Sequence, residues 1–188
     1  MDNYFIGRIK LESVKDECAM SELQKFREAK DDFFATHPQS PIAAVQQKDF
    51  QGLTYFPERK DLQFEVEVDE FEEKVEIQMQ TSTGDVQTYV RYGRFKFTVD
   101  DQEAELTIFA SEDHYFLPFV DSQAGGETYG AGRYLDPEKL PDGRILVDFN
   151  LAYNPYCAYN DRWSCPIPPS ENRLSVPIQA GERNFKIQ

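Results

Sequence analysis

The stretch "VQTYVRYGRFKFTVDDQEAELTIFA", residues 86–110, decides the fold, because its apolar side chains recur at every second position and not at helical spacing. Val86, Thr88, Val90 and Tyr92 form one such set, and Phe95, Phe97 and Val99 form the next. The chain then passes through Asp100-Asp101 to Ala104, Leu106 and Ile108. The same pattern begins upstream, where Leu62, Phe64, Val66 and Val68 alternate with Gln63, Glu65, Glu67 and Asp69. Val75, Ile77 and Met79 repeat it before the turn signal Thr83-Gly84-Asp85. A period of two with charged residues between the apolar ones predicts short antiparallel strands with one buried and one wet face. Further strands are expected at 115–120, at 144–151 after a Pro-Asp-Gly turn, and within "RLSVPIQAGERNF", where Pro177 suggests an edge position.

The N-terminal part has a different period. Leu11, Val14 and Cys18, then Leu23, Phe26 and Phe33-Phe34, follow helical spacing over residues 11–37. Ser21 followed by Gln24 has the form of a capping box, so either a helix restarts there or one helix runs through. Helix is expected to end near His37, since the residue before Pro38 is pushed out of the helical region. Residues 38–57 read as a connector. The expected architecture is mainly β with an N-terminal helix or helices (α+β), an antiparallel β-sandwich or small barrel. With no separating linker, one domain over 1–188 is expected, its β core at 62–188 containing an irregular segment at 152–173.

Charge and composition narrow the function classes. The chain carries 34 acidic against 20 basic residues, a net charge of −14. That balance opposes attraction to phosphate backbones and anionic lipid, so neither nucleic acid nor membrane is an expected partner. The opening residues hold no apolar run of signal-peptide or membrane-span length, which points to the cytoplasm. Three cysteines are too few for a disulfide scaffold, and reduced thiols are expected. Composition is silent on oligomeric state.

The blocks "DDFFATHPQSPI", "GLTYFP", "FLPFVDSQAGGETYGAGRYLD", "DFNLAYNPYCAYN" and "CPIPPSENRLSVPIQAGE" together resemble the domain-of-unknown-function 1684 family of bacterial and archaeal proteins. The resemblance runs from about residue 26 to 185, and it implies no catalytic or binding residues.

Function must therefore be read from the side chains. "AGGETYGAGRYL", residues 124–135, lacks the third glycine of a dinucleotide fingerprint and the Lys-Ser or Lys-Thr of a P-loop. Its glycines either relieve a tight turn or let backbone approach a ligand. Cys157 and Cys165 are eight positions apart, unlike the short pairs of zinc sites, so no metal and no cofactor is expected. With only His37 and His114 to serve as bases, Cys157 reads as a buried, inert thiol.

Two constellations stay open. Glu127, Asp148 and Glu171 are candidates for acid–base hydrolysis, provided that they share a cavity. Alternatively Tyr129, Arg133, Tyr134, Asn150, Tyr153 and Asn154 bind a small polar or anionic molecule, with Arg133 as anchor and the others as orienting hydrogen bonders. Arg133 has a competing role, a structural ion pair with Asp148. A third reading makes 148–173 rigid scaffolding in a non-catalytic interaction module.

Overall fold

The computed structural model describes residues 20–111 and 114–185, in two compact units that divide after Gly52. The expected helical pattern over 11–19 lies outside the described residues. In the first unit, α1 spans Glu22–Thr36 and α2 spans Ala44–Gln47. Ser21 caps α1 by accepting the Gln24 N–H at 3.1 Å, satisfying one of the orphan donors of the first turn. His37 ends it with an extended ψ of 139°, as Pro38 requires. The Phe34 carbonyl, left open at the helix end, accepts from Ser40 Oγ at 2.8 Å and Gln47 Nε2 at 3.1 Å.

Among the described residues, the second unit holds nine strands in two antiparallel sheets. Strands β1 (Gln63–Val66), β8 (Glu138–Lys139) and β9 (Ile145–Asp148) form the smaller one in the order β1-β9-β8. The larger follows β2-β4-β5-β6-β7, with β3 also paired to β4; these are Asp69–Glu70, Val86–Val99, Gln102–Ala110, Tyr115–Phe119, Arg133–Leu135 and, for β3, Glu76–Gln80. Val66, Ile145 and Val147 from the smaller sheet, with Leu62 just before β1, meet Phe95, Phe97, Val99, Leu106, Ile108, Leu117 and Phe119 from the larger in one core. The architecture is thus mainly β with one main helix near the N-terminus, sandwich-like, and neither sheet closes into a barrel.

Three readings of the strands need correction. The alternations at 86–92 and 95–99 belong to one strand, β4, with a bulge between Arg91 and Gly93. Tyr89 is the buried residue of its first half, whereas Val86 and Thr88 are exposed. Gly93 sits where β2 crosses closely: a Cβ there would lie 2.6 Å from Val68 Cγ1 and 2.7 Å from the Asp69 carbonyl. Second, the expected 144–151 strand ends at Asp148 and turns into a 3-10 turn over Phe149–Leu151. Third, residues 173–185 form no strand; isolated bridges at Arg173 and Glu182 are their only ladder contacts among the described residues.

Asp100 and Asp101 turn β4 into β5 with φ of +47° and +64°, both in the left-handed region. This is the geometry of a primed hairpin turn, which costs an L-residue other than glycine about 1 kcal/mol. Asp100 accepts from the Arg59 guanidinium at 3.0 Å. Replacing Asp101 by glycine is therefore expected to stabilise the protein by about 1 kcal/mol, read as a higher urea midpoint with an unchanged slope.

Candidate functional site

Arg133 opens β7 immediately after Gly132, whose φ of +98° and close approach to the Phe119 carbonyl (2.6 Å from an added Cβ) exclude a side chain. The Arg133 side chain is fully buried. One terminal nitrogen donates to the Ala180 carbonyl at 2.5 Å and the Glu182 carbonyl at 2.9 Å. The other donates to Asp121 Oδ2 at 2.9 Å and to the Ile178 carbonyl at 2.7 Å. Burial pulls its pKa down and Asp121 opposes that shift. Asp121 is itself held by the Gln123 N–H at 2.8 Å and the Thr128 hydroxyl at 3.1 Å.

This network explains why 176–182 is irregular and yet buried. Its carbonyls are satisfied by a guanidinium instead of a neighbouring strand. Arg133 is a structural pair, but with Asp121. Asp148 instead accepts from the Asn150 N–H at 2.9 Å, Asn150 Nδ2 at 2.8 Å and Gln63 Nε2 at 3.3 Å. All four terminal N–H groups of the guanidinium are thus committed within the fold, while its buried Nε–H meets no protein acceptor.

Most of the other predicted binding residues also face inward. Asn150 exchanges bonds with the Arg59 backbone, receiving its N–H at 2.7 Å and donating to its carbonyl at 2.9 Å. Asn154 donates to the Arg183 carbonyl at 2.8 Å, and its N–H reaches Glu182 Oε2 at 2.8 Å, which also accepts from the Tyr159 hydroxyl at 2.6 Å. Tyr134 is buried and donates to the Pro166 carbonyl. Tyr153 is half-buried and donates to Asp136 at 3.0 Å. Tyr129, also half-buried, holds the loosest contacts, 3.5 Å to the Cys157 carbonyl and 3.9 Å to its sulfur.

The three candidate carboxylates belong to three separate networks. Glu127 pairs with Arg183 at 2.5 Å, and Glu171 pairs with Arg91 at 2.6 Å while accepting from Thr107 at 3.2 Å. Asp148 is held by Gln63 and Asn150, as above. Next to Glu171, the buried Asn172 does structural work that the sequence did not announce. It caps both backbone groups of Thr107, at 2.9 and 2.8 Å, and takes the Pro118 carbonyl at 2.8 Å, where the β5–β6 ladder has opened.

What the fold does bring together is a wall missed at the level of sequence. The β3–β4 turn and residues 163–167 are laced by Ser164 Oγ to Thr81 Oγ1 at 2.8 Å, Thr83 Oγ1 to Ser164 Oγ at 2.6 Å and the Ile167 N–H to the Gln80 carbonyl at 2.8 Å. Ser82 accepts the Cys165 N–H at 3.2 Å and donates to the Trp163 carbonyl at 3.1 Å. The Cys157 N–H donates to Cys165 Sγ at 3.3 Å. Beneath them lies a second apolar cluster of Met79, Tyr89, Phe109, Phe116, Tyr134 and Cys165, against which Tyr153, Tyr156, Cys157 and Trp163 pack.

Two features of the wall have chemical consequences. Hydrogen bonds from Cys165, and then from Tyr129 and Ser82, lower the Cys157 pKa to about 7, although burial opposes them. The partner thiol of Cys165 is pushed up by the same interaction. The Trp163 ring stands 5.0 Å from Tyr156, while its buried indole N–H meets no protein acceptor. A local cue for Cys157 exists only in space, because Tyr129 and Ser82 are far from it in sequence.

Among the described residues no group of three or more His, Cys, Asp or Glu is placed to hold a metal ion. Nor is any described helix long and apolar enough to cross a membrane. No curated protein matches the chain. A solved structure similar to it is the solution NMR structure of an uncharacterized protein from Haloarcula marismortui. That protein is 40% identical, with a TM-score of 0.66, and the match covers 86% of this chain and 91% of the other. The model of a family described as proteins of unknown function, DUF1684, matches residues 48–183, and the chain belongs to that family.

Proposed function

We propose that the protein is a β domain that binds a small polar molecule with a planar face at the wall of Tyr129, Tyr156 and Trp163. One observation carries the reading: the indole N–H of Trp163 is buried and lacks an acceptor, while its ring remains half-exposed beside Tyr156. A buried donor without a partner costs about 1–3 kcal/mol, and tryptophan normally satisfies it. A ligand oxygen or ring nitrogen would restore that bond, and its planar face would stack on the aromatic wall. The long contacts of the Tyr129 hydroxyl leave it able to turn toward the same molecule, and Tyr153 forms part of the packed floor. Arg133 is sealed within the fold and takes no part in this wall, where the exposed Arg162 guanidinium lies 5.0 Å over the Trp163 ring.

Trp163 is the sole tryptophan, so its fluorescence reports this wall alone. Titration with polar heterocyclic metabolites is expected to give a saturable change for at least one of them. Tyr129→Phe should weaken that binding by about tenfold, the value of one good hydrogen bond, without changing thermal stability. A flat response across such compounds, or a saturable one indifferent to Tyr129→Phe, would rule the reading out.

A further inference from the structure

Cys157 and Cys165 are eight residues apart on an irregular segment, and the fold packs them into the same apolar cluster. A backbone bond reinforces the approach, from the Cys157 N–H to Cys165 Sγ at 3.3 Å. Both thiols are free. The two sites are not equivalent. Cys165 is 6% exposed and is pinned to the β3–β4 turn on both sides, its N–H to Ser82 Oγ at 3.2 Å and its carbonyl to the Ser82 N–H at 2.9 Å. Cys157 is half-buried, lies on the 3-10 turn Tyr156–Ala158, and has the Tyr129 hydroxyl 3.9 Å from its sulfur. The more exposed cysteine thus has the Tyr129 hydroxyl near its sulfur, and the more buried one is held still beside it.

We propose that Cys157 and Cys165 are a redox-active dithiol, in which Cys157 attacks a hydroperoxide and Cys165 resolves the product to an intramolecular disulfide. In the first step the Cys157 thiolate attacks one peroxide oxygen. The S–O bond forms, the O–O bond breaks, and the leaving oxygen departs as water or an alcohol after taking a proton. In the second step Cys165 attacks the sulfur of the resulting sulfenic acid. The S–S bond forms, the S–O bond breaks, and hydroxide leaves with the Cys165 proton as a second water. Two thiols lose two electrons in total, the peroxide gains them, and a small-molecule thiol restores the pair by exchange. Donation to Cys157 Sγ from Cys165, Tyr129 and Ser82 favours the thiolate that the first step needs. The other titratable groups that sense the two sulfurs are Tyr134 and Tyr156, whose phenols burial keeps protonated, so no cation is required. The inference stands on the cysteine geometry and does not depend on the ligand reading.

The test is peroxide oxidation of the full chain, followed by digestion without reduction and mass spectrometry. A linked pair of peptides containing Cys157 and Cys165 is expected, reversed by dithiothreitol and unaffected by Cys18→Ser. In Cys165→Ser, dimedone should label Cys157, whereas in Cys157→Ser the Cys165 thiol should stay unlabelled. Wild-type Cys157 should also alkylate about tenfold faster at neutral pH than in the urea-unfolded chain, since about half of it is thiolate against a few per cent of an ordinary thiol. Absence of the linked peptide from folded wild-type protein would overturn the proposal, as would dimedone labelling of Cys165 in preference to Cys157. The wild-type crosslink and alkylation rate need no variant, so misfolding of a substituted chain leaves both outcomes decisive.

Discussion

Arg133→Met is expected to destabilise the protein by about 3–5 kcal/mol, because it removes one partner from a buried charge pair and leaves the other uncompensated. Asp121 would keep only the Gln123 N–H and the Thr128 hydroxyl, with its side chain 2% exposed. The carbonyls of Ile178, Ala180 and Glu182 would lose their guanidinium donors at the same time. Methionine approximates the volume of the aliphatic stem, so the loss reports hydrogen bonding, charge and the guanidinium's place over Phe119 more than cavity formation. The discriminating measurement is a double-mutant cycle in urea. Arg133→Met with Asp121→Leu should recover part of the loss, since the orphaned carboxylate has gone with its partner. A single substitution costing under about 1 kcal/mol would place the pair in the range of exposed salt bridges, contrary to its burial.

Gly181→Ala comes next in expected effect. Gly181 has φ of +73°, and a Cβ built there would stand 2.5 Å from the Ala152 carbonyl and 2.8 Å from that of Phe149. The left-handed conformation alone costs about 1–2 kcal/mol for an L-residue, and overpacking against backbone adds about 1–3. Loss of about 2–5 kcal/mol is therefore expected by denaturant unfolding. Gly84 provides the control. Its φ is +88°, but an added Cβ would meet nothing within 4 Å, so Gly84→Ala should show the conformational term alone. Equal effects at the two glycines would mean that the chain at 180–182 is not held against 149–152. That close approach carries the Ala180 and Glu182 carbonyls to Arg133, so the two predictions probe one construction from both ends.

The strands were legible because alternation between apolar and charged residues is a local property, and from 62 to 110 it is nearly unbroken. Its weak point was 86–92. There Val86 and Val90 suggested one inner face, while Tyr89, an amphipathic residue on the opposite set, took the core. Gly93, inside β4, is where the paired β2 backbone comes too close for a side chain. The last segment misled for a different reason. "RLSVPIQAGERNF" has the apolar spacing of a strand, but a single buried guanidinium replaces the ladder that a strand would have provided.

The nearness of two candidate stretches was legible in the sequence, and the partners of their side chains were not. Glycines at 125–132 and the polar tract at 148–160 do lie close, as the Tyr129–Cys157 and Tyr134–Tyr153 contacts show. Which side chains point inward depends on pairings such as Arg133 with Asp121, and those follow from tertiary closure. The same holds for Cys157. Its thiol looked inert from its neighbours in sequence, and its environment is set by Tyr129, Ser82 and Cys165 across three different segments.

On the proposed reading a ligand sits against Tyr129, Tyr156 and Trp163, while the Arg133–Asp121 pair holds the chain together from within. The direct measurement is a proton–nitrogen correlation spectrum of the labelled full chain, titrated with any metabolite that alters Trp163 fluorescence. The single indole N–H resonance is expected to move, together with backbone amides at 129, 157 and 163–165, while those at 121, 133 and 178–182 stay in place. Shifts centred on 121, 133 and 178–182, with a stationary indole resonance, would contradict it.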